Sequence, residues 1–191
     1  MRTVVITIST WFFCVYDQVI RYVDVLYGIY MLNHLGQVGI DCRIKGKGTI
    51  IGADSMCLGK GVAIGKGLFA VANGGIFIDD YSIISRNCVI QTQTHNYKSD
   101  FLPFGRDMLR KPVTIGKSVW IGMNVTILPG VVIGDGAIIG MNSVITKSVP
   151  AGAICVGAPA KVINYRDKGN YDDLFNSGKF ITQERGKRCR L

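Results

Sequence analysis

Histidine, proline and acidic side chains are all scarce in this chain, and each shortage removes a class of function. Only His34 and His95 occur among 191 residues, so a metal centre built from three histidines of one chain is excluded. Five prolines and the lack of a Gly-X-Y period rule out a collagen and a flexible low-complexity chain. The six cysteines, at 14, 42, 57, 88, 155 and 189, include no CxxC or other ligand spacing. They read as small buried hydrophobes in a reducing compartment, with no metal site. Acids number 13 against 22 bases, a net charge of +9, yet no nucleic-acid-binding motif accompanies that charge and no nucleic-acid partner is expected.

The amino terminus lacks the marks of a signal peptide. Its apolar run from Thr3 to Tyr16 is followed by Asp17, Gln18 and Arg21, where a small-residue cleavage site would stand. The run is shorter than the roughly 18 residues that mark a membrane span. A cytoplasmic chain is therefore expected. From Ser9 to Leu35 the residues Phe12, Val15, Val19, Val23, Leu26 and Tyr30 recur at spacings of three or four, which predicts a helix. Ser9 or Thr10 would cap it and Gly36 would end it. This N-terminal segment, 1–36, is expected to dock on the core or on a neighbouring subunit, and weak membrane-surface contact is its second place.

What the chain has in excess is glycine, 24 residues, nearly twice the ordinary share of roughly 7%. The reason emerges from a repeat. Ile115, Ile121, Ile127, Ile133, Ile139 and Ile145 recur every six residues, and Leu58, Ile64, Ile78, Ile84 and Ile90 carry the same period with slips. Four positions after the later isoleucines stand Val119, Val125, Val131, Ala137, Ser143 and Val149. Six residues make a short strand and a turn, with the isoleucine and the small residue pointing inward. Three hexads then close one triangular coil, and coils stack at the strand spacing of roughly 4.8 Å.

The third position after each isoleucine is mostly Gly, Asn or Asp: Gly61, Gly67, Asn87, Asn124, Gly130, Gly136 and Asn142, with Asp54 placed after Ile51. These residue types tolerate positive φ, so Asn87, Asn124 and Asn142 are assigned to turn geometry. Tyr81, Ser118 and Ser148 break the rule, and their corners are expected to bend differently. The repeat body spans 37–164. It is interrupted over 94–112 by an excursion loop holding His95, Tyr97, Phe101, Leu102, Phe104 and Arg106. A loop of that length marks function. A C-terminal extension, 165–191, holds a short helix or turn within Asn170–Phe180 and a basic end with Arg185, Lys187, Arg188 and Arg190.

Four features in order, over about residues 58 to 164, resemble the hexapeptide-repeat acyltransferases. They are the I-G-x-N-V-x hexads, a Thr-His pair entering an excursion loop, the run K-P-V-T-I-G-K-S-V-W-I-G, and a closing V-G-A-P-A-K-V-I. The nearest likeness is to the sugar and polysaccharide O-acetyltransferases, maltose and galactoside acetyltransferases among them. The resemblance implies an all-β fold, a left-handed parallel β-helix, although strand crossovers are generally right-handed. It implies a homotrimer and acetyl transfer from acetyl-CoA, without metal, to a hydroxyl of a sugar or glycan precursor in polysaccharide biosynthesis.

The resemblance also assigns roles. His95 matches the catalytic histidine, a general base, the role that an imidazole side chain fills most often. With no aspartate clearly placed beside it, a backbone carbonyl is expected to orient it. Trp120 matches a wall for the pantetheine arm. Gly122, Met123 and Met141 lie where the family's backbone meets acetyl-CoA, and an N–H near the Trp120–Gly122 strand is a candidate oxyanion donor. Thr146, Lys147 and Lys161 match its phosphate-side contacts, Asn73 its polar acceptor contact, and Tyr97 joins Asn73 on the acceptor side. Asn164 falls where a further basic contact is usual, and the helical domain that precedes the repeats in the maltose enzymes is not recognisable. Two other functions compete: transfer to an amine of an amino sugar or antibiotic, and a non-catalytic β-helix that assembles partners.

Overall fold

The computed structural model describes residues 2–183, with side chains from Thr10 onward; the basic end from Glu184 to Leu191 lies outside the described residues. The chain coils into a three-sided stack of parallel strands. The first face carries Gln37–Val38, Met56–Leu58, Ile76–Ile78, Val113–Ile115 and Val132–Ile133. The second carries Arg43–Ile44, Ala63–Ile64, Ile83–Ile84, Trp120–Ile121, Ile138–Ile139 and Ala153–Gly157, closed by the antiparallel Ala160–Tyr165. The third carries Thr49–Ile51, Phe69–Val71, Val89–Gln91, Thr126–Ile127 and Val144–Ile145.

Each hexad isoleucine is buried on the coil axis. Ile84, Ile90, Ile115, Ile121, Ile127, Ile133, Ile139 and Ile145 form an unbroken apolar column with Val119, Val125, Val131 and Ala137 beside them. Backbone bonds tie coil to coil: up the second face Gly65 N–H donates to Ile84, Ser85 to Ile121, Gly122 to Ile139 and Gly140 to Cys155, all at 2.8–2.9 Å. The lower coils are longer than the upper ones. Gln37 pairs with Cys57 and Cys57 with Phe77, a step of 20 residues, whereas Thr114 pairs with Val132, a step of 18. The surplus enters at one place, the corner from the third face to the first. Ile50 aligns with Ala70 and Ile90, so the repeat position in the lowest coil is Ile50, not Ile51. Asp54 then lies in a short 3-10 turn, Ala53–Ser55, and Gly52 takes the left-handed conformation (φ 71°) in its place.

The corners correct a second expectation. Asn87, Asn124 and Asn142 have φ of 57–59°, as turn geometry requires, but Tyr81 (59°) and Ser118 (52°) adopt the same conformation. The two stack on each other between Gly61 below and Gly136 above, both also at positive φ, and the column imposes the bend regardless of residue type. Of the three exceptions only Ser148 stays outside that region, and its hydroxyl accepts the Val132 N–H at 3.1 Å.

Helix α1 spans Arg2–Leu32, starting seven residues before Ser9 and ending short of Leu35. β-branched residues crowd its first turns, and their low helix propensity hid that start. Only its last turns meet the coil. Gly28 lies on the Ile44 backbone, where a Cβ would sit 1.9 Å from the carbonyl oxygen, and Met31 enters the core.

The excursion has structure of its own. Gln93–His95 pairs antiparallel with Met108–Arg110, His95 opposite Met108, which satisfies backbone groups that a free loop would leave to water. At the other end of the chain, α2 (Lys168–Asn176) is capped by Asp167, whose carboxylate accepts the Asn170 N–H at 2.7 Å. The segment then runs down the corner between the first and second faces. Arg166 Nε donates to the Gly136 carbonyl at 2.6 Å, Phe180 stacks on Tyr81 with centroids 3.7 Å apart, and Arg43 bonds the Thr182 carbonyl. Between this strap and the second face lies a cavity of about 560 Å³, lined by Tyr81, Ser118, Trp120, Tyr171, Phe175 and Lys179 among others.

Two expectations follow. Phe180→Ala removes the ring that pins the strap. Loss of an aromatic pair, of order 1 kcal/mol with its burial besides, should speed tryptic cleavage after Lys179 about tenfold while the coil stays folded by circular dichroism. Burial also pushes the thiols of Cys42, Cys88 and Cys155 above their ordinary 9.0, and burial followed by the Asp135 charge raises the Tyr171 phenol above 10.0. Groups whose folded pKa is raised contribute stability that is complete below the unfolded value and is lost as pH climbs through the folded one. The urea midpoint should therefore decline above pH 9.0; a rising midpoint there would contradict this account.

Candidate active site

The expected site residues fall into three groups on the coil. The first sits at the corner from the third face to the first. Asn73 there donates through Nδ2 to Gln93 Oε1 at 3.3 Å, next to the Gly74 N–H, which donates to Thr92 Oγ1 at 2.8 Å. That hydroxyl donates in turn to the Val71 carbonyl at 2.6 Å. These bonds anchor the base of the hairpin that carries His95 and Tyr97. His95 is exposed, and its ring lies flat on Phe104, centroids 3.7 Å apart and planes within 18°. Among the described residues no carbonyl or carboxylate bonds its ring; the expected backbone orienter is replaced by Phe104. His34 differs: its Nδ1 is held 2.7 Å from the Tyr30 carbonyl.

The loop tip beyond His95 is tied by Gly105 N–H to the Asn96 carbonyl (2.8 Å) and Asn96 N–H to the Asp107 carbonyl (3.0 Å). Tyr97, Phe101 and Leu102 nonetheless stay in solvent, Leu102 at 97% exposure. Arg106 lies over the Phe101 ring at 5.8 Å.

The second group lies on the second face and the corner after it. Trp120 stands half exposed on the wall of the cavity described above. Met123 and Met141 occupy successive coils at one corner, both exposed, with Asn124 Nδ2 donating to Asn142 Oδ1 at 3.0 Å beside them. Gly122 is fixed by close approach: a Cβ there would meet the Met141 nitrogen at 2.7 Å. The Trp120 and Gly122 N–H groups already donate to the Ala137 and Ile139 carbonyls at 2.9 and 2.8 Å. The ladder therefore consumes the expected oxyanion donors of that strand.

The third group, Thr146, Lys147 and Lys161, lies exposed at the upper end of the stack. Neither lysine joins an ion pair among the described residues, where Lys66–Asp24 forms at 3.0 Å. Two unpaired ammonium groups fit the phosphates of a coenzyme A molecule as point charges. Asn164 cannot add a third charge, and its Oδ1 accepts the Tyr165 N–H.

Sequence reasoning missed the strap, including Arg166, Tyr171, Phe175 and Phe180, because it follows the last repeat. A signal did exist. The corners that departed from Gly, Asn and Asp at positions 81 and 118 both line the cavity under the strap. Lys60, over the Tyr81 ring at 5.6 Å, has its pKa raised chiefly by a bond with the Tyr81 hydroxyl.

Known proteins share this pattern. The family described as bacterial transferase hexapeptide (six repeats) matches residues 112–147. Galactoside O-acetyltransferase of Escherichia coli (strain K12) is 37% identical over 123 residues, which cover 59% of this chain and 60% of that relative. The chain thus spans less than two thirds of the relative's length. A galactoside acetyltransferase solved in complex with coenzyme A superposes with a TM-score of 0.61 at 26% identity, over 74% of this chain and 70% of that one. A maltose O-acetyltransferase from Clostridium difficile 630 does so with a TM-score of 0.64 at 26% identity, over 72% and 73%. The repeat within residues 112–147 is the bacterial transferase hexapeptide, and the coil that contains it has the fold of the hexapeptide-repeat acetyltransferases.

Proposed function

We propose that the protein is an acetyltransferase that moves the acetyl group of acetyl-CoA to a hydroxyl of a sugar or glycan precursor, with His95 as general base. The observation that carries this is the placement of His95. It is presented on a paired hairpin at the one long break in the repeat, with its ring held flat by Phe104 and neither nitrogen hydrogen-bonded among the described residues. The relative with which the chain shares 37% identity is named for transfer to a galactoside, which favours a sugar hydroxyl over an amine.

The chemistry runs as follows. Neutral imidazole takes the hydroxyl proton as the acceptor oxygen attacks the thioester carbonyl. The tetrahedral oxyanion collapses, the C–S bond breaks, and the imidazolium returns its proton to the departing CoA sulfur. Asn73 beside the hairpin and Tyr97 on it would hold the acceptor. Trp120, Gly122, Met123 and Met141 would line the pantetheine arm, and Thr146, Lys147 and Lys161 would meet the phosphate end.

His95 stands on the hairpin that leaves the third coil after its third face, whereas Trp120 stands on the second face of the next coil, and neither the cavity under the strap nor the smaller one beside Gln37 and Phe77 is lined by His95. A second wall is needed, and the exposed apolar loop tip needs cover. A homotrimer supplies both, with each site between two copies. In such a trimer, activity should vanish on dilution in step with dissociation followed by light scattering; a fully active monomer would refute the shared site. His95→Ala should cost 10²–10⁴-fold in kcat, with CoA binding and unfolding midpoint unchanged. Lys161→Ala should instead raise KM for acetyl-CoA, since a remote phosphate contact binds ground and transition states alike. Unchanged turnover in the histidine variant would sink the assignment.

A further inference from the structure

Helix α1 is built unlike any other part of the molecule. At 1.5 Å per residue its 31 residues reach about 46 Å, yet among the described residues only the last turns reach the coil, where Tyr27, Gly28, Met31 and Leu32 pack on it and Asp24 pairs with Lys66. From Thr10 to Val23 every residue is exposed, including Trp11, Phe12, Phe13, Tyr16, Val19, Ile20 and Tyr22. At 100° per residue these apolar side chains cover an arc of about 200°, somewhat over half of the circumference. Asp17, Arg21 and Asp24 occupy the remaining arc, which is the arc that Gly28 continues onto the coil. The polar side therefore looks toward the body, and the apolar side looks away from it.

Such a breadth does not fit a helix seam. Two or three helices packing together bury a narrow stripe and leave a polar outer face; here the outer face is aromatic and aliphatic. It does fit a bilayer, whose acyl chains cover a wide arc without selecting positions. The uncharged stretch from Thr3 to Tyr16 is shorter than the roughly 20 residues of a spanning helix. Among the described residues no helix is long and apolar enough to cross a membrane. An apolar run of that length fits an interfacial helix lying in one leaflet.

Charge supplies the second, independent observation. The corner from the second face to the third carries Lys45 and Lys47 in the lowest coil, Lys66 in the next and Arg86 above, all exposed. Gly46 abuts Lys66 and Asp24, and Gly65 abuts the Arg86 nitrogen, so these residues form one column rising from the foot of α1. Lys66 binds the Asp24 carboxylate of the helix at 3.0 Å. No acid stands on that corner, while Asp41, Asp79, Asp80 and Asp135 gather on the corner between the first and second faces. A basic column beside a lipid-seeking helix complements the anionic headgroups of a membrane surface.

We propose that α1 is a monotopic anchor: its apolar arc sinks into one leaflet, and Lys45, Lys47 and Arg86 engage anionic lipid headgroups at its foot. This is independent of the acetyl-transfer assignment and tested without it. The full chain is mixed with vesicles of phosphatidylcholine, or of phosphatidylcholine with one-third phosphatidylserine, and floated on a density gradient. It should float with both and more strongly with the anionic vesicles, the excess fading as salt is raised. Lys45→Ala with Lys47→Ala should lower partitioning to the anionic vesicles about 25-fold, five-fold per lysine, and leave the neutral vesicles unaffected. Phe12→Glu with Val19→Glu, both at exposed positions, should abolish flotation with an unchanged unfolding midpoint. As a second measurement, in the Trp120→Phe chain the emission of Trp11 should be quenched by lipids brominated along the acyl chain. A wild-type chain that stays at the bottom of the gradient at low salt, or an unquenched Trp11, overturns the anchor. So does a glutamate variant that splits an assembly which itself never floats, because α1 would then be a seam between copies.

Discussion

The ladder of backbone hydrogen bonds from coil to coil is the constraint on which the rest of this molecule depends. Apart from the closing pair Ala153–Gly157 and Ala160–Tyr165, each strand is only two or three residues long, so none of them is stable by itself. Each N–H must be met by a carbonyl one coil away, and the chain can return under itself only if every corner turns at the same place. That demand imposes positive φ on Tyr81 and Ser118, residues that otherwise resist it. It also decides which backbone groups are free for chemistry. The amides of Trp120 and Gly122 are spent on the ladder, so charge on a ligand must be met by side chains or by amides at the corners.

Corners are therefore where this fold admits change. Two lower coils take two extra residues at the corner from the third face to the first, and the third coil takes the whole hairpin there. An insertion on a face would shift the register and bury polar residues on the axis; one at a corner leaves the isoleucine column intact. His95 stands on the largest such insertion, and Asn73 on the smaller one beneath it, bonded to Gln93 at the hairpin's base. Stacking of insertions at one corner brings together residues 20 positions apart without any long-range design beyond the repeat itself.

How much of this was legible follows from where periodicity reaches. The isoleucine column, the inward small residues and the asparagine corners were readable because each is repeated, and the Thr-His motif was readable because it breaks the repeat. The missing frame in the lowest coil, Ile50 for Ile51, came from an insertion that periodicity alone cannot locate. The strap escaped because Arg166, Tyr171 and Phe180 follow no period and act through contacts with distant corners, Gly136 and Tyr81. Which amide near the Trp120–Gly122 strand is free for an oxyanion was hidden for a different reason. A sequence names the amide of Gly122 but not its partner, and only the stacked coil reveals the Ile139 carbonyl already there.

The two ends of the stack differ in a way that gives the molecule a direction. At the upper end lie Thr146, Lys147 and Lys161, open to solvent, with neither lysine in an ion pair among the described residues. At the lower end lie α1 and the basic column of Lys45, Lys47 and Lys66. Between them, the corner that is basic below becomes methionine above, at Met123 and Met141. Neighbouring coils are separated by one strand spacing, roughly 4.8 Å, so Met123 stands only one coil above Arg86. If α1 rests in a leaflet, the region proposed for the acetyl donor is held a short way above the headgroups, with its phosphate end turned to the water. An acceptor carried on a lipid would then meet the site without leaving the membrane, whereas a free sugar would gain nothing from the arrangement. The segregation of charge along one corner thus bears on acceptor choice, which the residues around His95 do not specify by themselves.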